Sequence, residues 1–252
     1  MSGSVHVVRD GSIGWIVFDH SERRNAISRE MWRAIPPAAR ALDQDDSVRV
    51  IVLRGAGEEA FVAGADISEF ERLRTGEGAR RYEEENGQAF ASLHAVAKPV
   101  IAMIHGFCIG GGLALALCAD LRYAADDAAF AIPAARLGLG YPPHGVEALV
   151  RVVGYPAAKE ILFTARRFGA DEAARKGLLN AVLPKTDLES FVRKLAADVS
   201  SNAPLTVRSA KRVLRSLAAG GRDLEEALRS VRACFDSEDY KEGVRAFLEK
   251  RK

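Results

Sequence analysis

Cysteine is scarce in this 252-residue chain: Cys108, Cys118 and Cys234 are the only three, and each lies in an apolar stretch. They show no metal-ligand spacing and read as reduced core residues of a cytoplasmic protein. No apolar stretch free of charge reaches membrane-spanning length, and Met1-Ser-Gly-Ser-Val-His6 lacks a basic then apolar signal segment, so no membrane partner is expected. Excess charge is missing too: 36 Lys and Arg against 34 Asp and Glu leave a net +2, and the basic residues form no long run. Nucleic acid is therefore not an expected partner. Low-complexity segments are absent, as is any repeat closer than a loose strand–helix alternation. What remains is 48% apolar and long enough to bury a substantial core, as one large domain or one domain with an appendage.

The chain is organised around Ile101 to Asp120. An apolar strand at 100–104 meets a turn at His105-Gly106, and Gly110-Gly111-Gly112 opens an apolar helix. Three adjacent glycines let a ligand approach the backbone itself, and a helix start leaves N–H groups unpaired at the positive end of its dipole. Such a place holds an anion, or an oxygen that becomes one during a reaction. Close packing of a helix on a sheet explains the same glycines equally well.

Two β-rich runs, 5–9 and 13–19, flank the hairpin signal Asp10-Gly11. A helix is expected from Ser28, with Met31, Trp32, Ile35, Ala38 and Leu42 on one face and a kink or break at Pro36-Pro37. A buried strand at 48–53 precedes a small-residue turn at Ala63-Gly64-Ala65, after which a helical pattern begins beyond Asp66. Residues 72–88 are charged and carry three glycines, which fits either a mobile, partly helical segment over a site or a plain surface loop. Short strands are expected at 121–125, 129–132 and 180–183, with helices at 146–153, 157–164 and 171–176. Beyond residue 188 only amphipathic helices follow, interrupted at Asn202-Ala203-Pro204 and Gly220-Gly221. Early strand–helix units followed by helices alone indicate an α/β core with a helical C-terminal appendage.

Phe61-Val62-Ala63-Gly64-Ala65-Asp66-Ile67, Lys98-Pro99-Val100, the Gly106 to Gly112 glycine spacing, Asp120-Leu121-Arg122 and Phe130 with Pro133 occur in the order that marks one known family. So do Leu137-Gly138, Phe163-Thr164, the Ala173 to Gly177 spacing and the terminal Phe247-Leu248-Glu249-Lys250-Arg251. Over nearly its whole length the chain resembles the crotonase family, the enoyl-CoA hydratases and isomerases. The resemblance implies a spiral of β-β-α units over residues 1–195 and a helical region at 196–252 that builds a homotrimer or hexamer. It also implies an acyl-CoA thioester substrate, with coenzyme A present only as part of that substrate and no separate cofactor or metal. By motif position the N–H groups of Ala65 and Gly111 would hold the thioester oxygen of an enolate. Coenzyme A would pass the backbone at Ala63, Ala65, Asp66 and Ile67, and Arg23 and Arg24 would either meet its phosphates or remain solvated surface charge.

The chain also departs from the family. Hydratases of this kind carry glutamates at the positions of Ala114 and Ala134, and alanine supplies neither an acid nor a base. Tyr141, His144 and Glu147 stand nearby in sequence. The segment resembles that of the family's methylmalonyl-CoA decarboxylases, which carry a tyrosine at the position of Tyr141. Decarboxylation of a malonyl-type CoA thioester suits a pocket without glutamate, since no base is needed and no anion repels the substrate carboxylate. Tyr141 would orient that carboxylate and His144 protonate the enolate. Hydration or isomerisation through another acid–base pair and non-catalytic acyl-CoA binding are the alternatives. Surface or packing roles for Tyr141 and His144, and an ion pair of Glu147 with Arg151, are the plainer readings of those side chains.

Overall fold

The structure, a computed structural model, describes residues 3–69 and 76–251. The first two runs form β1 (Ser4–Asp10) and β2 (Ile13–Asp19), an antiparallel pair joined at the expected turn. Helix α1 (Arg29–Asp43) follows, its first turn capped by Ser28, whose hydroxyl accepts from the Met31 N–H at 3.3 Å. Thereafter the chain steps from a strand of a large sheet to a strand of a small sheet and then into a helix. β3 (Val50–Gly55) and β4 (Ala60–Val62) precede α2 (Glu77–Ala95). β5 (Val100–Ile104) and β6 (Phe107–Ile109) lead into α3 (Gly111–Leu117). β7 (Leu121–Ala125) and β8 (Ala129–Ala131) lead through a 3-10 turn (Pro133–Leu137) to α4 (Pro143–Thr164). β9 (Phe168–Gly169), α5 (Ala170–Arg175) and β10 (Ala181–Leu183) complete the two sheets.

The large sheet runs β1-β2-β3-β5-β7-β10 and is parallel except at β1/β2; the small sheet runs β4-β6-β8-β9 and is parallel except at β8/β9. This is the spiral of β-β-α units expected from the resemblance. Its corners need glycine. Gly106 turns β5 into β6 at φ +51°, and a Cβ there would sit 1.9 Å from the Glu59 carbonyl oxygen. Alternate residues of the large sheet face two separate apolar clusters. Ile51, Leu53, Ala102 and Ile104 pack toward α1, α2 and α3, while Val50, Val52, Ile101 and Met103 pack toward Leu188, Val192 and Ala196 of α6 (Leu188–Ser200). Covering both faces explains why β5 is apolar at every position and wholly buried.

Several expectations need correction. α1 runs unbroken through Pro36-Pro37, because those prolines lie on its outer side while Ile35, Ala38, Ala39 and Leu42 hold the inner side in the core. The carbonyls that the prolines leave unpaired can be solvated there. Of the two alternatives for 72–88 the plain surface loop fails and the helical one holds: residues 77–88 form the first half of α2, which continues through Gly78 and Gly87 and lines the cavity described below, and residues 72–75 lie outside the described residues. β6 and β9 are additional strands too short to show a period in sequence. α4 begins at Pro143 and bends at Gly154, so His144 belongs to a helical first turn.

A division at 195/196 would fall inside α6, which packs on the sheet. The helices that follow are α7 (Pro204–Ala218), α8 (Leu224–Phe235) and α9 (Glu238–Leu248). Lys211 latches α7 to the core: its Nζ donates to the Lys98 carbonyl and to Asp120 Oδ2, both at 2.6 Å, and the same carboxylate oxygen accepts from the Val100 N–H at 2.7 Å. Burial pushes the Lys211 ammonium down to about 8, with the Asp120 charge acting the other way. The unfolded chain, whose lysine titrates near pH 10.4, therefore binds more protons across the interval from about 8 to 10.4, and stability rises with pH there. Urea unfolding of wild type and Lys211→Met at pH 7.5 and at 9.5 is expected to show wild type gaining on the variant at the higher pH. An equal difference at both pH values would refute this account of the latch.

Candidate active site

Two backbone donors meet where the small-residue turn faces the glycine helix. Ile27 donates to the Gly64 carbonyl at 2.8 Å and accepts from the Asp66 N–H at 2.9 Å, a bridge whose alternation turns the Ala65 N–H the other way. At Gly110, which spends its own N–H on the Ala131 carbonyl at 2.8 Å, the chain enters α3 and leaves the Gly111 N–H at the helix start. Among the described residues neither the Ala65 nor the Gly111 N–H has an acceptor. The two sites lie close together, since a Cβ built on Gly111 would come 3.8 Å from the Ala65 nitrogen and 3.3 Å from the Trp32 ring. Gly112 lets the helix reach this position, because a Cβ there would lie 2.1 Å from the Val62 carbonyl oxygen of β4.

The donors open onto a cavity of about 140 Å³. Ala65, Gly111, Tyr141 and His144 all line it, together with Ala114 and Ala134, so the four residues expected to act in catalysis share one site. Of the expected coenzyme-contacting residues, Ala63, Ala65 and Ile67 line the cavity and Arg24 and Asp66 do not. Asp66 instead closes the turn that follows it. Burial opposes its charge, but the Ser68 hydroxyl and N–H and the Arg23 guanidinium, 2.7 Å away, hold its carboxyl below the usual range. The Arg24 guanidinium donates to Glu59 at 2.7 Å and lies over the Phe107 ring.

Tyr141 reaches inward. Its ring lies over Gly145, where a Cβ would meet it at 2.7 Å, and its hydroxyl is buried without a hydrogen-bond partner. Burial raises the hydroxyl well above the ordinary tyrosine range, with Cys118 and Cys108 adding to the shift, so it stays a neutral donor at any working pH. Cys118 is itself pushed up to about 12 by burial and remains a thiol. The exposed His144 ring sits 5.6 Å from that of Phe90, which joins the start of α4 to α2. Glu147 points away and pairs with Arg151 at 2.6 Å, as its helical spacing predicts.

Sequence reasoning missed the wall contributed by α1 and α2. Trp32, Glu83, Asn86 and Phe90 all line the cavity. The signal was present as helical spacing, since 83, 86 and 90 share one face, but it was obscured by the surrounding charges. The cavity is consequently not free of carboxylate. No group of three or more His, Cys, Asp or Glu suited to a metal occurs among the described residues, and none of their helices is long and apolar enough to cross a membrane.

The chain is similar over nearly its whole length to known proteins. The family model for enoyl-CoA hydratase/isomerase matches residues 9–252. The chain is 35% identical to the short-chain-enoyl-CoA hydratase of Clostridium acetobutylicum over 99% of its own length and 96% of that protein. Carnitinyl-CoA dehydratase of Escherichia coli is also 35% identical, over 100% of this chain and 97% of its own. Among solved structures, an enoyl-CoA hydratase/carnithine racemase from Magnetospirillum magneticum superposes with a TM-score of 0.95 at 36% identity, covering 100% of this chain and 95% of that one.

Proposed function

The chain belongs to the enoyl-CoA hydratase/isomerase family, and from that premise we propose that it adds water reversibly to the double bond of a 2-enoyl-CoA thioester. The observation that carries this reading is the pair of unpartnered N–H groups, Ala65 and Gly111, facing a mostly apolar cavity. Water entering at the β-carbon pushes charge onto the thioester oxygen, and fixed donors aimed at that oxygen stabilise the enolate without reorganising. Side chains other than residues 114 and 134 then carry the protons. The cavity offers Glu83, Asn86, Tyr141 and His144 for this.

Decarboxylation of a malonyl-type CoA thioester is the second reading, supported by the buried, neutral Tyr141 hydroxyl, a suitable donor to a carboxylate. Glu83 weighs against it, because its charge would repel the departing carboxylate. Two further proposals accompany the main one. The apolar side chains that α7, α8 and α9 leave exposed, including Leu214, Leu217, Phe235 and Phe247, support assembly into a homotrimer or hexamer. The buried thiols of Cys108 and Cys118 suit the reducing cytoplasm.

Hydration of a series of straight-chain 2-enoyl-CoA esters, run beside CO₂ release from methylmalonyl-CoA, tests the reaction. Gly111→Ala tests the donor pair, because its methyl group would stand 3.8 Å from the Ala65 nitrogen while its nearest contact is the Trp32 ring edge at 3.3 Å. We expect near-normal thermal stability and a fall in kcat of about 10²–10³-fold. Unchanged turnover in this variant would remove the donor pair from the mechanism. CO₂ release without hydration would establish the second reading instead.

A further inference from the structure

Helix α2 brings more polarity to the cavity than the fold uses. Glu83, Asn86 and Phe90 recur at i, i+3 and i+7, so one face of the helix presents all three to the cavity. Glu85, on another face, is committed to structure through Arg29 at 2.7 Å and Arg33 at 2.6 Å. Glu83 has no hydrogen-bond or ion-pair partner among the described residues. Glu83 stands exposed at the cavity, whereas Asn86 Oδ1 and the Tyr141 hydroxyl are buried and have no hydrogen-bond partner among the described residues. Buried polar atoms of native proteins rarely stay unpaired, so two of them lining one cavity call for a ligand atom. A carbonyl oxygen accepts a hydrogen bond, whereas a tyrosine hydroxyl can donate one. A water or hydroxyl oxygen answers both at once, and a carboxylate would answer only the tyrosine.

We infer that α2 supplies the base and part of the water site for the reaction: Asn86 Oδ1 accepts one O–H of the water, the Tyr141 hydroxyl donates to its oxygen, and the Glu83 carboxylate takes the other proton. The inference rests on the hydration reading proposed above. As one water O–H bond breaks, its proton passes to Glu83 and the oxygen forms a bond to the β-carbon. The electron pair of the carbon–carbon double bond moves between the α-carbon and the thioester carbon. The carbonyl pair becomes the enolate oxygen charge, held by Ala65 and Gly111. The enolate pair then takes the proton back from Glu83 at the α-carbon, which restores the carboxylate. One water is added, and nothing is oxidised or reduced. One carboxylate entering from α2 thus performs the work that two glutamates at positions 114 and 134 would otherwise share.

Glu83→Gln and Glu83→Asp separate this from a structural role. For the hydrated substrate, kcat of Glu83→Gln is expected to fall about 10²–10⁴-fold, with Glu83→Asp recovering part of the loss. Calorimetric affinity for the same enoyl-CoA should stay within about threefold of wild type, since the group acts in the transition state rather than in binding. Asn86→Ala and Tyr141→Phe should each lower kcat about tenfold or more, with the fold retained. Wild-type hydration together with a Glu83→Gln kcat within about threefold of it overturns the inference and leaves the hydration reading standing. No hydration of any ester in the series by the wild-type chain overturns both.

Discussion

Gly112→Ala is expected to lose both stability and nearly all turnover, although it adds a single methyl group to a helix. The added Cβ would meet the Val62 carbonyl oxygen at 2.1 Å, the Val62 Cβ at 2.8 Å and the Val62 carbonyl carbon at 2.9 Å. None of these is the end of a flexible side chain. Val62 is fully buried in β4, which is paired to β6, so α3 is the element that must move. Restoring ordinary contact requires a shift of about 1 Å, and displacement of that size at a reacting centre costs about 10²-fold. Overpacking adds about 1–3 kcal/mol of destabilisation. The Gly111 N–H moves with α3, so the donor pair is lost even in molecules that stay folded. Thermal unfolding and enoyl-CoA hydration measure the two effects, and they should fall together here but separate in Gly111→Ala. A stable, fully active Gly112→Ala would contradict the close approach of α3 to β4.

Trp32→Ala should produce the other large loss. Trp32 is 1% exposed, its Nε1 donates to the Tyr82 hydroxyl at 3.0 Å, and its ring meets Phe90 edge-on at 5.3 Å. It therefore joins α1 to α2 and backs the donor site at Gly111. Truncating a buried aromatic of this size costs about 3–5 kcal/mol, as lost transfer energy plus the cavity left behind. In a chain of this length that corresponds to a fall of roughly 10 °C in melting temperature. Turnover should fall further than the fraction unfolded explains, because the helix carrying Glu83 and Asn86 loses its support. Trp32→Phe keeps most of the ring and loses the hydrogen bond, so its cost should be nearer about 1 kcal/mol. If Trp32→Ala melts as the wild type does, the joint between α1 and α2 is not where the structure puts it.

Most of the architecture was legible because it follows from local pattern. β5 is apolar at every position since it is covered on both faces, and the glycines at 106 and 112 mark places where backbone approaches backbone. Ala65 and Gly111 were legible as a pair only through the resemblance, as nothing local joins residues 46 positions apart. The proline pair misled because a local rule was applied without its context: whether Pro36-Pro37 breaks a helix depends on which side faces water. The inward turn of the Tyr141 hydroxyl was also beyond the sequence, because it depends on the space that Gly145 leaves for the ring.

The sequence by itself determined the strand–helix succession, the family, the two donor turns and the alanines at 114 and 134, since each is a property of residue type and spacing. Tertiary structure alone decided what stands opposite those alanines. Glu83 and Asn86 come to the cavity because α1 holds α2 there through Trp32, whose ring also lies beside Gly111, and the helical spacing that puts 83, 86 and 90 on one face does not by itself turn that face inward. A helix face acquires its function from what packs against it, and that information is carried by residues distant in the chain.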